Sequence, residues 1–199
     1  MGRPIELVLA SGSPRRRELL SSLGWAFTVL VPSVDESLLP GESPGEAVKR
    51  LSREKAETVA KERPGRFVVA ADTVVALGNR ILGKPCSREE ALEMLILLNG
   101  RTHSVFTGVT VSSPWGMQTA AERTDVVFRE LPEDALRAYA ESGEGDDKAG
   151  AYAIQGLGAL LVDSIRGDYF NVVGLPLCRL SRMLESLGFS VADQWRKTQ

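Results

Sequence analysis

Several stretches of the sequence combine residue types suited to chemistry on an anionic substrate. The first is Ser11-Gly12-Ser13-Pro14-Arg15-Arg16-Arg17. Ser13 is a good helix N-cap and Pro14 fits the first helical position, so this small-residue loop leads into a helix N-terminus. Backbone N–H groups and the positive end of the helix dipole point at such a loop, and both attract phosphate. Three arginines in a first turn oppose that dipole unless an anion docks there. Arginine also presents a planar fork that matches phosphate oxygens. The competing reading is a solvated basic turn. The GxxxxGK[ST] phosphate loop is absent.

The second stretch is Phe67–Ala76, apolar on both faces of a strand except for Asp72 and Thr73. Burying an unpaired carboxylate costs on the order of several kcal/mol, so Asp72 needs a cation, hydrogen bonds or a raised pKa. A divalent metal or a general-base role explains it; so does a structural salt bridge. Lys55 falls four residues after Leu51 and four before Val59, on the inward stripe of a helix where a lysine is out of place. Lys84 sits in Gly83-Lys84-Pro85, a rigid turn after a strand. Either lysine can neutralise phosphate or can snorkel. The pair Asp35-Glu36 could share a metal with Asp72 or cap a turn. Gln155 lies in the small-residue segment Lys148–Gly156, and its amide offers both a donor and an acceptor to a uracil or thymine edge. The alternative is an ordinary surface glutamine in a glycine-rich loop.

Local signals then predict the elements that must hold these groups. Strands are expected over Ile5–Leu9, Phe27–Val31, Phe67–Leu77 and Arg80–Leu82, the last two joined through the hairpin turn Gly78-Asn79. Further strands are expected over Arg101–Ser112, about Gln118–Arg129 and Ala159–Ile165. Helices are expected from Pro14 to about Leu23, from the capping box Ser43/Glu46 to about Glu62, and from the capping box Ser87/Glu90 to Leu98. Two more follow over Pro132–Ser142 and Pro176–Leu187. Strands and helices mix without a strict βαβ repeat, which predicts a mixed α/β sheet. A single domain over residues 1–199 is expected, with a frayed tail from about Asp193. His103, the single histidine, falls in a strand and reads as structural.

The 199 residues are 43% hydrophobic and 25% charged, an ordinary globular composition. The formal net charge of -2 lacks the basic surplus of a polynucleotide binder. Cys86 and Cys178 form no CxxC, which argues against a disulfide scaffold or zinc site. There is no long apolar run, and Glu6 stands where a myristoylation motif wants Ser or Thr. A cytoplasmic protein is expected.

In order along the chain, Leu9-Ala10-Ser11-Gly12-Ser13-Pro14-Arg15-Arg16, Asp35-Glu36, Glu54-Lys55-Ala56, Ala71-Asp72-Thr73-Val74-Val75, Gly83-Lys84-Pro85, His103–Gly108, Asp147–Gly150 with Gln155-Gly156, and Asn171–Pro176 together resemble the Maf family of nucleoside triphosphate pyrophosphatases. The resemblance implies a Maf/Ham1 (ITPase-like) mixed sheet with flanking helices, two lobes around a nucleotide-binding cleft, and a homodimer. It implies a divalent cation, Mg2+ or Mn2+, and hydrolysis of a nucleoside triphosphate to monophosphate and pyrophosphate. Asp72 matches the proton acceptor, and Arg15, Thr73 and Gln155 match positions tied to substrate choice. Arg16, Lys55 and Lys84 match its phosphate-handling residues, and Glu36 matches an acidic site residue. The triphosphate is then expected along the Ser11–Arg16 loop, with Ser11 and Ser13 at its oxygens, and the metal on Asp72 and Glu36. The segment Asp147–Gln155 is similar to the dTTP/UTP branch, with 7-methyl-GTP as the alternative substrate. The resemblance also implies a link to arrest of septum formation.

Overall fold

A computed structural model of the chain describes residues 7–197. Gly2, Ile5 and Glu6, on which the expected strand start and the myristoylation argument rest, lie outside the described residues, as do Thr198 and Gln199. The fold is a mixed α/β sheet with flanking helices, as the sequence predicts. Its strands are β1 (Leu7–Ala10), β2 (Phe27–Val29), β3 (Phe67–Leu77), β4 (Arg80–Leu82), β5 (Thr102–Ser113), β6 (Gly116–Phe128) and β7 (Val162–Arg166). They are ordered β2-β1-β3-β5-β6-β7, with β4 paired to β3. β1 runs parallel to β2 and β3, with Leu9 opposite Val29 and Val69. β3 and β4 form the expected antiparallel hairpin, its turn made possible by Gly78 at φ +59°.

The helices are α1 (Pro14–Ser22), α2 (Pro44–Glu62), α3 (Arg88–Leu98), α4 (Glu133–Glu141), α5 (Tyr169–Val173), α6 (Leu177–Ser186) and α7 (Val191–Lys197). The chain divides into two compact units. Among the described residues, one comprises 7–72, 107–122 and 174–197; the other comprises 73–106 and 123–173. The division falls inside β3, between Asp72 and Thr73.

In the first unit, α2 packs on β1 and β3 through Val8, Ala10, Ala56, Val59, Val68 and Ala70. Gly108 of β5 permits close approach: a Cβ there would lie 2.0 Å from the carbonyl oxygen of Val48. One turn further along α2, the buried Ser52 hydroxyl meets Thr110 Oγ1 at 3.0 Å, and Thr110 meets Thr119 at 2.9 Å. These contacts fix the rotation of α2 and therefore the direction of Lys55. The second unit is built on α3, α4 and the far halves of β3, β5 and β6, with Leu95, Leu98, Val105, Phe128 and Leu136 at its centre. His103 is buried there, 2.7 Å from the Tyr152 hydroxyl and edge-on to Phe128. It is structural, as expected.

Four local expectations need correction. Ser13 occupies the N-cap position of α1 but makes no side-chain cap bond. Ser87 accepts from the Glu90 N–H, yet the Glu90 carboxylate turns to the Cys86 N–H instead of closing a box. The strand expected from Ala159 begins at Val162, because Gly156–Leu161 winds into 3-10 turns. Residues 193–197 of the expected tail belong to the helix α7.

Candidate active site

The first unit brings together the loop before α1, the carboxylate of β3, the lysine of α2 and one residue of the 30–43 loop. Lys55 is 6% exposed and Asp72 is 8% exposed. Lys55 Nζ lies 2.6 Å from Asp72 Oδ1 and 2.6 Å from Glu36 Oε1. The lysine that breaks the apolar stripe of α2 and the carboxylate that breaks the apolar run of β3 are therefore partners. An ion pair this deep is stable only because each charge finds the other. Asp72 receives this contact on one oxygen; its Oδ2 accepts no hydrogen bond from the described residues.

The pair Asp35-Glu36 separates by role. Asp35 accepts from the N–H and hydroxyl of Ser37 at 2.9 and 2.6 Å, capping its own turn, and these bonds lower its pKa. Glu36 turns to Lys55. The loop that carries it is strapped to α2 by Arg50, whose guanidinium reaches both oxygens of Glu42 at 2.8 Å and the Ser37 carbonyl at 3.0 Å. Sequence reasoning missed this strap. Only the helical spacing of Arg50 and Glu54 hinted at it, and Glu42 is the stronger partner.

At the start of α1, the Ser11 hydroxyl oxygen accepts from the Ser13 N–H and from Arg16 Nη1, each at 3.2 Å. Arg16 Nε donates to the Gly174 carbonyl at 2.8 Å. Burial lowers the Arg16 pKa, the Asp72 charge raises it, Arg15 lowers it and Glu36 raises it. Arg16 therefore feels both carboxylates that Lys55 bridges. The first bond of α1 runs from the Arg17 N–H to the Ser13 carbonyl, and the turn has neither a side-chain cap nor an acidic residue. Such a helix start suits an anion.

Asp72 and Glu36 supply the hard carboxylate oxygens that Mg2+ or Mn2+ prefers, and they already converge on one cation. The donor chemistry fits. Two carboxylates leave most of a divalent ion's coordination to water and phosphate oxygens, as is usual for Mg2+. Among the described residues no group of three or more His, Cys, Asp or Glu could hold a metal.

The second unit carries Thr73, Lys84 and Gln155. Lys84 is exposed, with no hydrogen bond or ion pair among the described residues. Its turn is anchored by the Gly83 carbonyl, which accepts from the Gly150 N–H at 3.0 Å. Gly150 sits at φ +70°, and a Cβ there would press on Val75 at 3.0 Å. Gln155 is exposed, and its side-chain amide is likewise unpaired among the described residues. Thr73 is half-buried on β3. No described helix is long and apolar enough to cross a membrane.

Comparison with known proteins identifies the family. The family profile described as Maf-like protein matches residues 6–187. The chain is 48% identical over 184 residues to the dTTP/UTP pyrophosphatase of Halalkalibacterium halodurans, covering 92% of this chain and 97% of that one. It is 47% identical over 191 residues to the dTTP/UTP pyrophosphatase of Desulforamulus reducens, covering 95% and 99%. The solved Ham1 protein of Staphylococcus aureus aligns over 79% of each chain with a TM-score of 0.46 and 20% identity, too distant to bear on the site. With a matching profile over nearly the whole length and relatives this similar, the chain belongs to the Maf family.

Proposed function

We propose that the protein hydrolyses dTTP and UTP to the nucleoside monophosphate and pyrophosphate. The observation that carries this reading is the Lys55 ammonium held between Glu36 and Asp72, with Arg16 in the same field, next to a helix start suited to phosphate. The names of relatives 47–48% identical support the substrate class.

Catalysis of this kind is mostly positioning and charge stabilisation. Ser11, Ser13, Arg15 and Arg16 take phosphate oxygens at the start of α1, and Lys55 and Lys84 offset further charge. Asp72 accepts the proton of the attacking water. Its Oδ1 is steadied by Lys55 while Oδ2 is left to take that proton. The water oxygen bonds to the α-phosphorus. The bond from that phosphorus to the bridging oxygen breaks, and the oxygen keeps the electron pair and departs on pyrophosphate. A divalent cation, held by Asp72 and Glu36, supplies charge neutralisation and a more acidic water when bound. Arg15 and Thr73 contribute to substrate choice, and the Gln155 amide offers a donor and an acceptor to the pyrimidine edge. On the same reading the protein acts on free nucleotides in the cytoplasm as a homodimer.

The test is pyrophosphate release with Mg2+ or Mn2+ across standard nucleoside triphosphates and 7-methyl-GTP. Turnover of dTTP and UTP to monophosphate is expected. Turnover confined to 7-methyl-GTP would keep the chemistry and overturn the reading of Gln155. No turnover of any nucleotide would overturn the enzymatic reading itself.

A further inference from the structure

The backbone that carries Gln155 is held by a carboxylate outside the catalytic account. Glu144 stands just beyond α4, after Gly143 at φ +74°. Its Oε1 accepts from the Gly158 N–H at 2.8 Å and from the Tyr139 hydroxyl at 3.1 Å. Its Oε2 accepts from the Leu157 N–H at 2.9 Å. The Tyr139 oxygen in turn accepts from the Ala153 N–H at 3.1 Å. One carboxylate and one phenol therefore grip the main chain on both sides of Gln155: Ala153 two residues before, Leu157 and Gly158 two and three residues after.

The grip is close enough to dictate the neighbouring glycines. Gly156 sits at φ +66°, and a Cβ there would lie 2.3 Å from Glu144 Oε2. A Cβ on Gly158 would lie 2.2 Å from the Ala153 carbonyl oxygen, and one on Gly145 would lie 2.0 Å from that of Ala151. Ala151 itself is held at φ +59°. Burial pushes the Glu144 carboxyl up, but the Gly158 and Leu157 N–H groups and the Tyr139 hydroxyl outweigh it, so its pKa is lowered. Its charge is thus fixed to serve backbone donors. Gln155, by contrast, has no side-chain hydrogen bond among the described residues. The clamped backbone therefore sets the point from which its side chain reaches.

We propose that Glu144 is the positioning residue for nucleobase choice: by clamping the main chain on both sides of Gln155, it fixes how far the amide reaches toward a base. A glutamine on a loose segment follows whatever edge it meets. Held at a fixed reach, it favours a pyrimidine edge over that of a purine. This inference rests on the reading of Gln155 as a base-contacting residue.

The test compares kcat and KM for dTTP and dATP in the wild type, Glu144→Gln, Tyr139→Phe and Gln155→Ala. Glutamine at position 144 replaces one acceptor oxygen with an NH2 that cannot accept the N–H it would face. The expected result is a fall of about tenfold in kcat/KM for dTTP, carried mainly by KM, with a smaller fall for dATP. A purely structural role would reduce both substrates by the same factor, through the fraction of folded enzyme, and an unchanged ratio would overturn the proposal. Tyr139→Phe removes one donor to Glu144 and the acceptor for the Ala153 N–H, and should shift the ratio in the same direction, so the question stays open to test if Glu144→Gln fails to fold. If Gln155→Ala lowers the ratio and neither clamp variant does, positioning by Glu144 is wrong. If Gln155→Ala leaves the ratio unchanged, the reading of Gln155 fails and takes the proposal with it.

Discussion

Lys55 has two carboxylate partners, so the loss of either one leaves it paired. Asp72→Asn therefore removes the proposed proton acceptor without stranding the buried ammonium, because Glu36 still faces it at 2.6 Å. Turnover should fall by roughly 10²–10⁴-fold, as for loss of a general base. The thermal midpoint should move little, and a melting curve beside the rate shows whether the two effects separate. The same geometry governs metal affinity. With Lys55 already balancing Asp72 and Glu36, Mn2+ alone should bind the nucleotide-free protein weakly, and Lys55→Met should bind it at least about tenfold more tightly. Calorimetric titration of Mn2+ into both proteins checks this, and equal affinities would contradict it. Much of the group was legible in the sequence. Asp72 and Lys55 each violate an apolar pattern, and a buried charge demands a partner, although the pattern alone did not say they were each other's. The separation of Asp35 from Glu36 was not legible, because it depends on how Arg50 straps the loop.

The elements that aim these side chains depend on a few close approaches. Gly108 lets α2 rest on β5 at a distance no other residue permits. Gly108→Ala would force a methyl against backbone that no rotamer change can move, so a loss of about 3 kcal/mol or more is expected in denaturant unfolding. A loss below about 1 kcal/mol would show that α2 shifts freely and that the direction of Lys55 is set elsewhere. Caps and turns were readable where a side chain and its backbone partner are close in sequence, as at Ser43/Glu46 and Gly78-Asn79. Reading failed where distant contacts decide. Ala159–Leu161 reads as the start of a strand, yet Gly156–Leu161 winds into 3-10 turns whose Leu157 and Gly158 N–H groups bind Glu144. Ser13 looks like a cap, but its hydroxyl accepts no N–H of the first turn.

At the scale of the whole molecule, His103 links the second unit's core to pH. Burial lowers its pKa to about 4, against 6.5 unfolded, with Asp125 opposing only partly. Between these values the unfolded chain binds the extra proton. Stability is therefore fully present above about pH 6.5 and is lost as pH falls toward 4, by about 3 kcal/mol in all. The carboxylates with lowered pKa, among them Asp35, Glu42, Glu46, Glu89, Asp125 and Glu144, act in the same direction but only below their ordinary range. The slope between pH 6.5 and 5 should thus come from His103 and flatten in His103→Gln; denaturant unfolding across that range measures it, and an unchanged slope would contradict the assignment. The mixed sheet follows from the irregular alternation of strand and helix patterns. The division of β3 between two units does not, because Phe67–Leu77 reads as one uninterrupted strand.

The central claim is that Asp72 directs water to the α-phosphorus. Turnover of dTTP in ¹⁸O-labelled water, by the wild type and by Asp72→Asn, tests it most directly. The account predicts one ¹⁸O in dTMP, none in pyrophosphate, and near-complete loss of labelling in the variant. Label in pyrophosphate or inorganic phosphate, or an Asp72→Asn protein that labels dTMP at the wild-type rate, would contradict it.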